Sequence, residues 1–235
     1  MNIISYHTVN KSLRGKSILK SIDLVIPKGS IFFLMGLNGA GKTTLIKVTL
    51  KLLFKDSGDV LLCNDQLKVV SAIDGSNLYE HLSGFNNLKY FTLLVGAYSK
   101  EKVVRVLKDV GLEEDATKKV KSYSLGMKRR LLLALALVQE PDVLILDEPF
   151  NGLDPLGMEL LKKKIIDLNR TKGISVILSS HLISQTESIA THYAVMHNGT
   201  ILEQFSDAEL NDQLRVSGKN NLSEYFLSLT GGEIK

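Results

Sequence analysis

The residues GLNGAGKT, 36–43, constrain this chain more than any others, because they stand between an apolar run, SIFFLMG, and an amphipathic one, TTLIKVTLKLL. A short apolar run closed by glycine predicts a buried strand. The spacing of Leu45, Val48 and Leu52 predicts a helix over 43–53 that carries them on one face. Glycines between the two let backbone N–H groups approach a ligand closely, and the helix start adds partial positive charge. The pattern G-x-x-x-x-G-K-S/T in this strand–loop–helix setting is a phosphate cradle, in which Lys42 reaches the β- and γ-phosphates and the Thr43 hydroxyl ligates Mg²⁺.

The rest of the chain supplies the architecture such a loop requires. DVLILDE and GISVILSSH are apolar strands with an amphipathic stretch, 157–170, between them, and that alternation predicts a parallel sheet covered on both faces. SIDLVIP is a β-type run closed by Pro27, and further strands are expected at 58–63 and 67–73. Beyond Asp74, Leu78, Tyr79, Leu82, Phe85, Leu88, Tyr90, Phe91 and Leu94 fall at helical spacing, which predicts an inserted helical subdomain. It continues through KEKVVRVLKDVG, with Val103, Val104, Leu107 and Val110 as its stripe and Gly111 as its stop. A helix from about Leu125 leads back to the sheet, and YAVMHNGTILE predicts a hairpin turning at Asn198-Gly199. The tail after Ser206 is polar, with weak helical periodicity over 222–229.

The fold class expected is therefore α/β: a mainly parallel sheet of the P-loop NTPase type flanked by helices, an N-terminal antiparallel part and an inserted helical subdomain. One domain is expected over 1–235, since 235 residues with 44% apolar content can bury a sizeable core. Within it, 1–75 and 131–205 form the nucleotide-binding core, 76–130 the helical subdomain and 206–235 a C-terminal tail. Composition also narrows the function classes. The lone Cys63 excludes an intrachain disulfide framework and reads as a buried small hydrophobe. Residues 1–15 lack the apolar core of about 7–15 residues that a secretory signal needs, so no export of this chain is expected. The longest apolar run, 131–138, falls far short of the ~20 residues that span a bilayer, and a membrane role would have to come through a partner. A net charge of +4, with lysines scattered along the chain, does not ask for a nucleic-acid partner.

Further motifs complete the chemistry. In VLILDEP, Asp147 ends a strand and can hold Mg²⁺ through water, while Glu148 beside it can polarise an attacking water. Ligands bind open α/β sheets at this edge. SSH ends the next apolar strand at the same edge, where His181 can contact the γ-phosphate and sense its loss. The stretch YSLGMKRRLLLALAL, 123–137, joins a serine, a turn-permissive glycine and basic residues to a helix-forming run, and so suggests a second anion-binding helix start.

Taken together, GLNGAGKT, YSLGMKRR, LILDEPFNGLDP and SSH resemble, in order and spacing, the ATP-binding cassette (ABC) ATPases, particularly the cytoplasmic ATPase subunits of bacterial ABC exporters. The resemblance runs from about Ile3 to Glu203. It implies that Gly36, Asn38, Gly39, Ala40, Gly41, Lys42, Thr43 and Thr44 hold ATP, with Mg²⁺ at Thr43 and Asp147. It implies too that Ser124 and Gly126 are the family signature, in the form SLGMK, and serve the ATP held by a second cassette stacked head to tail. Asp154, in NGLDP, is similar to the loop that crosses the same interface. Two positions depart from the family. Leu13 stands where the family offers an aromatic face to adenine, with Tyr6 as an alternative. Asp74 stands where the family has a glutamine that orders Mg²⁺ and water, since Gln66 lies on the wrong side of the strand; its shorter, charged side chain can still bind Mg²⁺. The aromatic-rich segment 79–98 reads either as subdomain core or as part of a groove for a membrane subunit's cytoplasmic helix. The function implied is an ATP-hydrolysing subunit that powers transport, with export favoured. It would work through separate transmembrane permease subunits and a second ATPase subunit, at the cytoplasmic face of the membrane. The alternative is a soluble, non-transport ABC ATPase acting in translation or DNA repair.

Overall fold

The structure, a computed structural model, describes residues 1–72 and 78–232. The chain opens with β1 (Asn2–Leu13), β2 (Lys16–Pro27), β3 (Ile31–Met35), α1 (Lys42–Thr49), β4 (Ser57–Leu62) and β5 (Val69–Ala72). There follow α2 (Gly84–Leu94), α3 (Lys100–Asp109), α4 (Leu125–Leu137), β6 (Val143–Asp147) and α5 (Pro155–Lys172). The chain then runs through β7 (Ser175–Ser180), α6 (Ile183–Thr186), β8 (His192–His197), β9 (Thr200–Ser206), α7 (Asp207–Ser217) and α8 (Leu222–Thr230). These elements fall into two compact units, Met1–Leu67 with Ser175–Lys235, and Lys68–Ile174.

In the first unit β1 pairs antiparallel with both β2 and β4. Ile22, Leu24 and Ile26 of β2 are buried at alternate positions, so one face of this sheet carries the core. In the parallel ladder β3 lies between β7 and β8, with Met35 opposite Ser180 on one side and Val195 on the other. Every residue of β3 and β7 is buried, which is why both read as unbroken apolar runs. The expected hairpin joins β8 to β9, with Asn198 and Gly199 at φ 48° and 85° as a type I′ turn demands. Helix α1 is shorter than the spacing of Leu45, Val48 and Leu52 implies. Lys51 has φ 57°, a left-handed conformation that cannot continue the helix, so Leu45 and Val48 are buried while Leu52 is 67% exposed. Cys63 is half-buried rather than core, because it follows β4, none of whose residues is fully buried. The polar tail carries two helices. α8 follows the weak periodicity, and α7 starts at a capping box between Ser206 and Glu209.

In the second unit β5 and β6 run parallel, and α2 to α4 come between them in the chain. The helical spacing that begins at Leu78 becomes helix only from Gly84, after Ser83 accepts from the Asn86 N–H as N-cap. Residues before it are held otherwise: the Asn87 side chain bonds both backbone groups of Tyr79, whose ring meets that of Tyr90 edge-on at 5.0 Å. In α3 the buried stripe is Val103, Val106, Leu107 and Val110, with Val104 turned outward, and Gly111 at φ 67° ends the helix as expected. Parallel strands, an antiparallel N-terminal sheet and a helical segment inserted between β5 and β6 make up the α/β class that the sequence implies.

Candidate functional site

Strand β3 delivers Gly36 to a loop whose course is set by backbone packing. A Cβ on Gly36 would overlap the Met196 carbonyl oxygen of β8 and stand 3.1 Å from the Ala40 Cβ. The loop closes through Ala40 N–H to the Leu37 carbonyl at 3.1 Å, and the hairpin turn props it through Gly199 N–H to the Ala40 carbonyl at 2.9 Å. Gly39 and Gly41 take φ values of 84° and 114°, which L side chains rarely adopt. Lys42 is buried, and its ammonium lies inside the loop, donating to the carbonyls of Gly36 at 2.7 Å and Leu37 at 3.3 Å. Thr43 is exposed and Thr44 half-buried on the first turn of α1, whose N-cap, Gly41, supplies no side-chain cap. Backbone donors at a helix start, an internal lysine and open space around Gly39 suit a phosphate chain.

A cavity of about 770 Å³ borders this loop, lined by Asn38, Gly39 and Ala40, by His181 and Leu182 beyond the end of β7, and by Phe226 of α8 among others. Its volume is in the range of small-ligand sites. His181 is thus brought to the loop, its strand end ordered by the Leu182 N–H donating to Ser180 Oγ at 3.0 Å. Lys16 also lines this cavity, whereas Leu13, paired with it at the end of β1, lies outside the lining and is 38% exposed. Tyr6 is no partner for a base. Its ring is buried, its oxygen is 2.7 Å from Thr49 Oγ1 on α1, and burial pushes its hydroxyl up to about 12.

The other predicted residues belong to the second unit. Asp147 ends β6 and is buried; Glu148 follows, half-buried, with φ 49°. A non-glycine residue held there stores backbone strain, which clusters at functional positions. Ser124 is the N-cap of α4, accepting from the Met127 N–H at 3.2 Å, with its side chain exposed. Gly126 faces Leu153, to whose Cδ2 a Cβ would come within 3.8 Å. A Cβ on Gly152 would stand 2.8 Å from Leu125 Cδ2, so the loop after Glu148 packs on the start of α4. Asp154 caps α5 by accepting from the Gly157 N–H at 2.8 Å. Asp74 lies outside the described residues. The sequence reading missed Lys16, Asn198 and the α8 residues as lining of the loop's cavity. None carries a binding motif, Asn198 reading only as a hairpin turn, and the fold alone brings them to the loop.

A family model described as ABC transporter matches residues 19–151. The chain is 38% identical over 231 residues to the bacitracin transport ATP-binding protein BcrA of Enterococcus faecalis, covering 94% of this chain and 75% of that protein. It is 36% identical over 230 residues to the lantibiotic transport ATP-binding protein SrtF of Streptococcus pyogenes, covering 95% and 96%. Among solved structures, an ATP-binding cassette of an ABC transporter in its ADP conformation matches with TM-score 0.84 and 21% identity over 97% of this chain and 99% of that one. A dimeric cassette in a post-hydrolysis state with ADP and Pi matches with TM-score 0.75 and 22% identity, covering 86% and 98%. At these identities the two structures share the fold. No helix among the described residues is long and apolar enough to cross a membrane. The chain belongs to the ATP-binding subunits of the ABC transporter family, whose activity is ATP hydrolysis.

Proposed function

We propose that this chain powers export of a peptide-like cargo through separate membrane permease subunits, bound at the cytoplasmic face of the membrane. The observation that carries the reading is the glycine loop with the Lys42 ammonium inside it and His181 on the same cavity. Relatives named for bacitracin and lantibiotic transport favour a peptide cargo. In this reading the loop of Gly36, Asn38, Gly39, Ala40 and Gly41, with Thr44 at the start of α1, wraps the phosphates of ATP, and Lys42 neutralises the β- and γ-oxygens. Leu13 covers one face of the adenine. Thr43, Asp147 and Asp74 would hold Mg²⁺, which when bound neutralises charge on the β- and γ-phosphates. Glu148 accepts a proton from the attacking water, and His181 donates to the γ-phosphate. Ser124 and Gly126, at the start of α4, offer a second helix start to the ATP of a partner cassette, so hydrolysis requires a pair, with the Asp154 loops crossing between them. Dimer closure on ATP and opening after hydrolysis then drive the permease.

The test is Glu148→Gln, which keeps size and hydrogen bonding but removes the carboxylate. Losing such a base costs roughly 10²–10⁴-fold in turnover. Phosphate release should nearly stop while a fluorescent ATP analogue still binds, and size exclusion with Mg-ATP should show an accumulating dimer. Near-normal turnover removes Glu148 from this role; a wild-type chain that binds no ATP removes the whole reading.

A further inference from the structure

We propose that Phe226 of the C-terminal helix α8 is a positioning residue for His181, an inference that rests on the ATPase reading above. Helix α8 is tied to the strand that feeds the phosphate loop. Tyr225 donates its one hydroxyl hydrogen to Glu203 Oε2 on β9 at 2.7 Å, with Gln213 Oε1 on α7 also 3.1 Å from the same hydroxyl oxygen. Its ring meets Phe205 edge-on at 5.8 Å, Phe205 stacks on Tyr193 at 5.4 Å, and Tyr193 meets Phe33 of β3 edge-on at 6.4 Å. Such contacts add stability beyond buried area, so this ladder fixes α8 relative to β3. At its start the Leu222 N–H donates to Glu187 Oε1 at 3.4 Å, just past α6.

What α8 presents from this fixed position is the wall of the cavity. Ser223, Phe226 and Leu227 line it together with Asn38 to Ala40 and with His181. Phe226 is only 3% exposed, so its ring is packed rather than loose in the opening. The segment that follows His181 is one α-turn, α6, without a side-chain N-cap, continued by a 3₁₀ turn over Glu187–Ile189. A turn so short has no stability of its own and takes its place from what it packs on. It packs on α8. The geometry thus makes the C-terminal helix a rigid backing for the turn that follows His181, and Phe226 the packed side chain that α8 turns to the cavity His181 also lines.

The experiment compares wild type, Phe226→Ala, Phe226→Leu, His181→Ala and the Phe226→Ala/His181→Ala pair, by kcat and KM for ATP and by amide hydrogen exchange. A misplacement near 1 Å can cost about 10²-fold, so Phe226→Ala should lower kcat by about 10- to 100-fold while KM stays nearly constant. Phe226→Leu should recover most of it. Residues in one network are non-additive, so in the His181→Ala background Phe226→Ala should cost nothing more. Exchange at 181–186 should rise in Phe226→Ala and stay at the wild-type rate at 36–44. An equal loss in both backgrounds, a KM effect alone, or unchanged exchange at 181–186 would overturn the proposal. Should Phe226→Ala fail to fold, Phe226→Leu in the same cycle, with the same exchange readout, decides it. A wild type that does not hydrolyse ATP would refute the ATPase reading instead, and the exchange at 181–186 would still report on the α8 contact.

Discussion

Replacing Gly36 by alanine tests whether backbone packing sets the loop's position. The added Cβ would overlap the Met196 carbonyl oxygen, with the Ala40 Cβ 3.1 Å and the Met196 carbonyl carbon 3.4 Å away. The obstacle is main chain in β8, so no rotamer change relieves it. Carbon and carbonyl oxygen sit comfortably at about 3.3–3.6 Å, so the loop must retreat by roughly 1 Å. Overpacking of this kind costs about 1–3 kcal/mol. In a chain this long each kcal/mol lowers Tm by about 2–4 °C, giving a fall of about 2–12 °C. The functional cost is of the same size in free energy but easier to read, because a shift near 1 Å at the reacting centre reaches about 10²-fold in rate, roughly 2.7 kcal/mol. Gly39→Ala supplies the contrast for stability: at φ 84° with nothing within 4 Å, it meets backbone strain alone. That strain is about 1–2 kcal/mol, with no displacement of β8 contacts. Thermal unfolding, titration with a fluorescent ATP analogue and phosphate release read the three quantities. A Gly36→Ala protein with wild-type turnover and affinity would refute the claim that contact with β8 sets the loop.

Leu13→Tyr adds a π-face at the end of β1, and a base stacked there gains at most about 1–3 kcal/mol. ATP should bind more tightly with kcat unchanged, and a titration showing no gain would take Leu13 away from the adenine. Glu148→Asn places at φ 49° a residue that tolerates the left-handed region, whereas Glu148→Gln keeps the strain. Relief of up to about 1–2 kcal/mol should make the asparagine variant melt above the glutamine one; equal melting temperatures in a thermal scan would mean that Glu148 stores no strain.

The parts of this molecule legible in sequence are those whose physics is local. GLNGAGKT must contain glycines where φ is positive and a lysine one step into a helix, so its chemistry is written in consecutive residues. Strands β3, β6 and β7 are buried throughout, and such strands leave unbroken apolar runs. Ser124 was readable as a helix start because capping needs a short polar side chain at that one position. What failed depended on distant partners or on a single backbone angle. Leu52 keeps the helical spacing of Leu45 and Val48, but φ at Lys51 ends the turn before it can bury. Tyr6 reads as a free aromatic until β1 is laid against α1 and its hydroxyl reaches Thr49. Phe226 is the extreme case. A catalytic group must have a particular chemistry, so sequence can nominate His181 or Glu148 by residue type and strand end, whereas a wall needs only volume and apolarity. Many residues meet that demand, and nothing in LSEYFLSLT separates Phe226 from Tyr225 beside it. The fold separates them: one ring joins an aromatic ladder to β3, and the other closes a cavity shared with the phosphate loop. Residues that position a catalytic group should therefore be sought among the generic side chains lining its cavity, where composition and motif are silent.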